Sequence, residues 1–211
     1  MISKSNLIDS KSSSFYRLKD PMGTKAIRLT TRGISDWITD EYAYALFRGY
    51  EEPEKAICLQ GYMGSQITDF IFAGYVFIKL FSDKTLEIFE KNKITGWKTY
   101  PVEVHDRDGN LLPGYHGFSV IGKECRRDRS RSQIITKQAV PGGEPFEVYK
   151  GLYFFEEDWD GSDIFLVQNN MIVVTEKVRN LFKKNKVTNV KFIPLEEIEL
   201  DVYLDKFEKD I

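Results

Sequence analysis

Apolar residues in this chain fall in short runs separated by Ser, Asn, Gly and charged positions. Phe15-Tyr16-Arg17-Leu18 predicts a first strand, and Lys25 to Thr30, with Ala26, Ile27 and Leu29 apolar, predicts a second. Between Ile34 and Tyr50 the spacing changes. Trp37, Ile38, Tyr42, Ala45 and Leu46 recur at roughly helical period, so this segment reads as a helix. Glu51-Glu52-Pro53-Glu54 is a polar break before a short apolar stretch, Ala56 to Leu59. Residues 1–14, with Ser12, Ser13 and Ser14 adjacent, read as a flexible lead-in.

The pattern from Ser82 to Pro101 returns from Thr175 to Pro194 at a constant offset of 93 residues. Eight of the 20 aligned positions are identical and four more are conservative pairs, where chance gives about one or two identities. In both copies the hydroxyl (Ser82, Thr175) sits where a helix N-cap would accept a backbone N–H. An acid (Asp83, Glu176) follows at the positive end of the helix dipole. Thr85, Ile88 and Phe89 match Val178, Leu181 and Phe182 as an inward stripe. Lysines 91, 93, 184 and 186 crowd the far end, and Asn92 and Asn185 suit a left-handed helix stop. A strand follows in each copy, Trp97 to Val104 and Val190 to Leu195.

Upstream of each helix a second match appears, Asp69-Phe70-Ile71-Phe72 against Asp163-Ile164-Phe165-Leu166, followed by the breaks Ala73-Gly74 and Asn169-Asn170. Ile164–Val167 and Met171–Val174 read as a hairpin. Each copy is thus strand–turn–strand–helix–strand, and the two are expected to share a core. Between them, Val102 and Val104 lead into the turn Asp106-Arg107-Asp108-Gly109-Asn110, and the chain returns through Tyr115, Phe118, Val120 and Ile121 as an inserted hairpin. Gln133 to Thr136 and Val148 to Phe155 read as further strands around a Pro141-Gly142-Gly143 loop, and a charged tail, with a last helix, follows Leu200. The expected fold class is α+β, with mixed and antiparallel sheets, short helices and two repeated units. The expected divisions are the lead-in 1–14, an N-terminal α+β portion 15–66, a first unit with its inserted hairpin 67–145, and a second unit with the tail 146–211.

Composition sets the class of partner. The aromatic fraction is 14%, with 15 Phe and 11 Tyr, which favours a substantial sheet. Thirty basic and 32 acidic residues leave a net charge of −2, so the basic excess of a nucleic-acid binder is missing. The two cysteines, Cys58 and Cys125, form no CxxC and suit a reducing compartment. The opening residues lack the apolar core of a signal peptide, and Phe70 to Phe81 is too short to span a bilayer. The cytoplasm is the expected location, with no membrane partner.

The most suggestive chemistry is Glu156-Glu157-Asp158-Trp159-Asp160-Gly161-Ser162-Asp163, five carboxylates around a Trp. It fits three readings. The first is a contact with a basic partner surface, with Trp159 as anchor. The second is an oxygen-ligand site for a divalent cation. The third is a solvated turn whose Trp packs inward. Asp106 to Asn110 resembles a calcium loop, but its twelfth position is Gly117. His105 and His116 flank the inserted hairpin, facing each other if its strands pair, and lack the further ligands of a metal site. Arg126, Arg127, Arg129 and Arg131 read as a solvated basic loop beside Cys125, which reads as an inert thiol. No phosphate-binding Gly-rich loop, nucleophile elbow, zinc-protease helix or dinucleotide fingerprint occurs, so no catalytic residue, metal site or cofactor is expected.

Trp159-Asp160-Gly161-Ser162-Asp163-Ile164-Phe165, with Ile172 to Val178 and Val187-Thr188-Asn189-Val190-Lys191-Phe192, resembles the immunity protein 11 family. The resemblance covers chiefly residues 150–200 and more faintly 67–104; Asn189 stands where Gly is expected. It implies a bacterial protein encoded beside a polymorphic toxin, which it neutralises by binding, and it carries over no catalytic residues. On that reading an acidic, aromatic surface made of Glu156, Glu157, Asp158, Trp159 and Asp160 occludes the toxin. Two other classes stay open: a metal-dependent hydrolase or nuclease using the 156–163 loop, and a non-catalytic module binding a peptide at a sheet edge.

Overall fold

The computed structural model describes residues 15–31, 35, 37–73, 77–168 and 170–203. Within these the chain forms β1 (Phe15–Lys19), β2 (Arg28–Thr30), α1 (Asp40–Phe47), β3 (Ile57–Met63), β4 (Phe70–Phe72), β5 (Lys79–Ser82) and α2 (Asp83–Lys91). It continues through β6 (Trp97–Tyr100), β7 (Val102–His105), β8 (Tyr115–Val120), β9 (Glu124–Cys125), β10 (Gln133–Gln138) and β11 (Pro145–Lys150). The last elements are β12 (Ile164–Val167), β13 (Met171–Thr175), α3 (Glu176–Lys184), β14 (Lys191–Pro194) and β15 (Glu199–Asp201). The class is α+β. The strands form four sheets, ordered β14-β1-β13-β12-β9, β4-β5-β8-β6, β2-β3-β7 and β10-β11-β15.

The first two sheets repeat one pairing scheme. β5 lies between β4 and β8, and β8 pairs with β6; β13 lies between β12 and β1, and β1 pairs with β14. The registers agree residue by residue. Ser82 faces Tyr115 where Thr175 faces Phe15, and Lys98 faces Ser119 where Lys191 faces Lys19. In each sheet the strand between the one that leads into the helix and the one that follows it comes from outside the repeated segment: β8 from the stretch after β7, and β1 from the chain before the first unit.

One face of each sheet lines a common core. Phe70, Phe81, Phe89, Ile94 and Phe118 from the first unit pack with Ile164, Val174, Val178 and Phe182 from the second. At its centre Phe89 stacks on Phe182, centroids 5.5 Å apart and planes 18° from parallel. These two residues are counterparts at the offset of 93, and a residue touches its own counterpart only near a two-fold axis. The outer face of the first sheet, with Ile71 and Leu80, packs on β2-β3-β7 and α1. The outer face of the second, with Phe165 and Val173, packs on Leu152, Phe154, Leu195 and Ile198.

Polar contacts across the units are reciprocal too. Asp69 accepts from the Thr188 N–H and hydroxyl, both at 2.9 Å, and from Lys84 Nζ at 2.9 Å, while Lys84 also donates to the Lys186 carbonyl. Asp163 accepts from the Thr95 N–H at 3.2 Å and from Lys177 Nζ at 2.9 Å, and Lys177 donates to the Lys93 carbonyl. This explains a departure from the expected caps. Ser82 and Thr175 occupy the N-cap positions but make no capping bond. Their hydroxyls donate instead to Asp69 and Asp163, at 3.1 Å each, because a charged acceptor is the stronger partner. The helix stops differ likewise. Asn92 and Asn185 are not left-handed; their amides donate back to the Ile88 and Leu181 carbonyls, and Lys93 (φ 50°) and Lys186 (φ 51°) make the left-handed turn.

Desolvation raises the Asp69 carboxyl, but the bonds from Lys84, Thr188 and Ser82 outweigh it and hold the group below the usual carboxylate range. A depressed native pKa stabilises the fold above the unfolded value, near 4, and that contribution disappears as pH falls through the native value. Asp69→Asn is therefore expected to cost about 1–3 kcal/mol at pH 7. The gap to wild type should close as thermal melts are carried below about pH 4. A gap that stays constant down to pH 2 would rule the clasp out as its source.

Several sequence expectations are corrected. The helix expected over 34–50 is confined to Asp40–Phe47: the Thr39 side chain caps it by accepting from Tyr42 N–H, leaving Trp37 and Ile38 outside. The strand expected from Trp97 to Val104 is broken at Pro101, which has no N–H to donate; β6 stays in its sheet and β7 joins β3 in parallel. The inserted hairpin closes only around its turn, where Asp106 N–H donates to the Asn110 carbonyl and Leu112 N–H to the Val104 carbonyl, and β7 does not pair with β8. After a single bridge from His105 to Leu111, β8 passes between β5 and β6. His105 pairs with Gln60 and His116 with Phe81, so the two histidines do not face each other. After Leu200 the chain continues β15 to Asp201, and the expected last helix falls mostly on 204–211, which, like the lead-in 1–14, lie outside the described residues.

Candidate functional site

The acidic segment follows Phe155 as a single 3-10 turn, Glu156–Asp158. Its residues divide sharply in role. Asp158 accepts from the Arg126 backbone N–H at 3.0 Å and from its guanidinium at 2.7 and 3.1 Å. Those bonds hold its carboxyl below the usual range. Asp160 accepts from the Ser162 N–H at 3.0 Å and the Lys123 N–H at 3.1 Å; desolvation raises it, but these bonds prevail and it too is lowered. Trp159 turns inward. Its ring meets Phe15 edge-on at 5.1 Å and tilts against Phe165 at 5.9 Å, and Nε1 donates to the Ser162 carbonyl at 2.9 Å. Glu156 and Glu157 point outward, their side chains 79% and 69% exposed, with Arg131 and Arg126 at 4.0 and 3.9 Å.

The basic run is the counterpart of this segment. The expected solvated loop holds for Arg126 and Arg131, which are exposed, but Arg127 bridges in antiparallel fashion to Phe154 and is buried; a 3-10 turn spans Arg129–Arg131, and Arg131 lies 4.5 Å over the Tyr153 ring. Arg126 and Asp158 thus neutralise one another, while Glu156 and Glu157 keep only loose ion pairs. The acidic side chains bind separate groups of the protein rather than converge, and among the described residues no three His, Cys, Asp or Glu side chains form a cluster that could hold a metal. Cys125 is fully buried, and desolvation, with Asp158 and Asp160 nearby, pushes its thiol up to about 12, so it stays protonated at neutral pH. Desolvation draws the Lys79 amine down to about 7; its Nζ lies 4.3 Å from the centre of the Phe47 ring.

A second acidic and aromatic surface escaped the sequence reading. Trp37 (40% exposed) packs against Tyr42, whose hydroxyl is raised by desolvation and by the nearby charges of Glu51 and Glu54, and Tyr50 (68% exposed) lies just past the end of α1 against Arg48. The Trp37 ring lies 5.5 Å from Tyr42, and Lys55 Nζ lies 5.5 Å over it. Asp40 and Glu41 at the start of α1 and Glu51, Glu52 and Glu54 after its end are exposed. The signal was present as Glu51-Glu52-Pro53-Glu54 beside a helix with aromatic residues, but only the fold leaves Trp37 and Tyr50 exposed.

Residues 57–211 match the family model described as Immunity protein 43. The chain belongs to the immunity protein 43 family. A comparison with curated proteins gives no match. The resemblance read from the sequence pointed to immunity protein 11; what the match supports is an immunity-protein family, through family 43. In this family member the matched span holds both strand–turn–strand–helix–strand units and the acidic loop. β1, β2 and α1, and with them Trp37 and Glu51 to Glu54, precede it. No helix among the described residues is long and apolar enough to cross a membrane.

Proposed function

We propose that this immunity protein 43 family member binds a cognate toxin in the bacterial cytoplasm and neutralises it by covering its working surface, without catalysis of its own. The observation that carries this reading is the family match over residues 57–211. The acidic loop supports a contact role of restricted form. Glu156 and Glu157 supply outward charge for a basic toxin surface, while Asp158, Trp159 and Asp160 hold the loop in shape. A rigid loop loses little entropy on binding, and exposed carboxylates speed encounter with a basic partner. Trp37 and Tyr50, on either side of α1 in the chain, offer the exposed aromatic side chains that Trp159 does not, and they are the second reading of where the toxin sits.

Co-expression with the toxin encoded beside this chain is expected to restore growth and yield a complex. Glu156→Lys with Glu157→Lys should slow association by about tenfold and reduce its salt dependence. If Trp37→Ala with Tyr50→Ala disrupts the complex and the glutamate reversal does not, the contact lies on the second surface. No complex and no rescue would remove the proposal.

A further inference from the structure

The two units differ at one place in a way that leaves a groove. In the first unit the indole of Trp97 packs on Phe89 at 5.3 Å, and its Nε1 donates to the Ile94 carbonyl at 2.8 Å, so the space between α2 and β6 is filled. The counterpart of Trp97 is Val190, with an isopropyl group in place of an indole. Beside it Leu86 and Glu90 of α2 are replaced on α3 by Arg179 and Lys183, and Thr99 of β6 by Phe192, whose ring meets Phe182 edge-on at 5.7 Å. The result is a groove of about 460 Å³ between α3 and β14, with Val190 and Phe192 in its floor. Four cationic side chains and no carboxylate line it. Arg179 lies over the Tyr16 ring at 4.4 Å and is 3.8 Å from Glu176, whereas Lys183, Lys186 and Lys191 have no ion pair among the described residues.

We propose that this groove docks an acidic segment of a protein partner, seating one aromatic or branched apolar side chain where the first unit seats its own indole. The first unit shows which shape fits, and the three lysines set the sign of the partner's charge. β14 and β9 are opposite edges of the five-stranded sheet, and the acidic loop is bonded to the residues around β9. The groove is therefore a separate surface from that loop, and the inference does not depend on where the toxin binds.

The test is fluorescence anisotropy with a labelled ten-residue peptide of aspartate and glutamate carrying a central tryptophan. A peptide with glycine for the tryptophan and a single-stranded DNA of similar charge serve as comparisons. The acidic tryptophan peptide is expected to bind, and to weaken as salt rises from about 50 to about 200 mM. Val190→Trp, which supplies the indole from within, and Lys183→Glu with Lys191→Glu should each weaken it by at least about tenfold, with melting temperatures near wild type. Lys183 and Lys191 are exposed, so the charge reversal keeps the test intact if Val190→Trp does not fold. Absence of binding, equal binding of the glycine peptide, tighter binding of DNA, or indifference to both sets of substitutions would overturn the proposal. Tighter binding by a chain lacking residues 1–14 would overturn it in favour of the protein's own N-terminal segment as occupant.

Discussion

Phe89→Ala and Phe182→Ala are each expected to lower stability by about 3–5 kcal/mol, the range for removing a fully buried phenylalanine. Both rings are essentially inaccessible and stack on one another in the core shared by the two units. Each also touches a further ring of its own sheet, Trp97 at 5.3 Å and Phe192 at 5.7 Å, so the surroundings are ill placed to collapse into the cavity. Domains of this size are stable by about 5–15 kcal/mol, and one substitution would remove a large share of that. The two should not add. Once one ring is gone the other loses its stacking partner, and the coupling in a double-mutant cycle is expected at about 0.5–1.5 kcal/mol. Urea unfolding of the two single variants and the pair measures all of this; a loss below about 1 kcal/mol for either single variant would mean that the units do not depend on each other at this point.

Gly96→Ala is expected to cost about 2–5 kcal/mol, from a left-handed backbone that disfavours a side chain and from overpacking. Gly96 has φ +90°, and a Cβ there would lie 1.9 Å from the carbonyl oxygen of Ile164 in the other unit. That approach is held from several sides. Ile164 N–H donates to the Thr95 carbonyl at 3.1 Å, and the Ile121 and Gly122 N–H groups donate to the Gly96 carbonyl at 2.9 and 3.2 Å. The counterpart position shows the other solution to the same geometry. Asn189 has φ 60°, which Asn tolerates, and its side-chain amide donates to the Phe70 carbonyl at 2.8 Å, Phe70 being the counterpart of Ile164. Asn189→Ala loses the bond and puts Ala at a positive φ but meets no clash, so it should cost about 1–3 kcal/mol, less than Gly96→Ala. Equal losses at the two positions would contradict the steric account.

The departure of Asn189 from the expected glycine thus carries weight: the same crossing point is met once by removing a side chain and once by using one to bond. The acidic loop teaches a related lesson about charge. Read as a string, Glu156 to Asp160 is an undivided anionic surface with a tryptophan at its centre. In the folded chain two of its carboxylates and the indole hold the structure, and two glutamates face outward. Composition could not separate these roles, because Arg126 and the Lys123 N–H approach only when β9 is laid beside β12.

The sequence by itself determined the parts whose causes lie within a few residues. These are the two strand–turn–strand–helix–strand segments, the inward stripes of α2 and α3, the hairpin of β12 and β13, and the burial of Phe89 and Phe182. Periodicity reports on such features because neighbouring side chains share one helix face or one strand face. Only the tertiary structure decided that β8 and β1 complete the two sheets, that Asp69 and Asp163 take the hydroxyls expected to cap the helices, and which acidic residues face outward. Most of those outcomes depend on groups far apart in the chain, such as Phe15 with Thr175, Asp69 with Thr188 or Arg126 with Asp158. No local pattern encodes a partner that arrives only once the chain has folded.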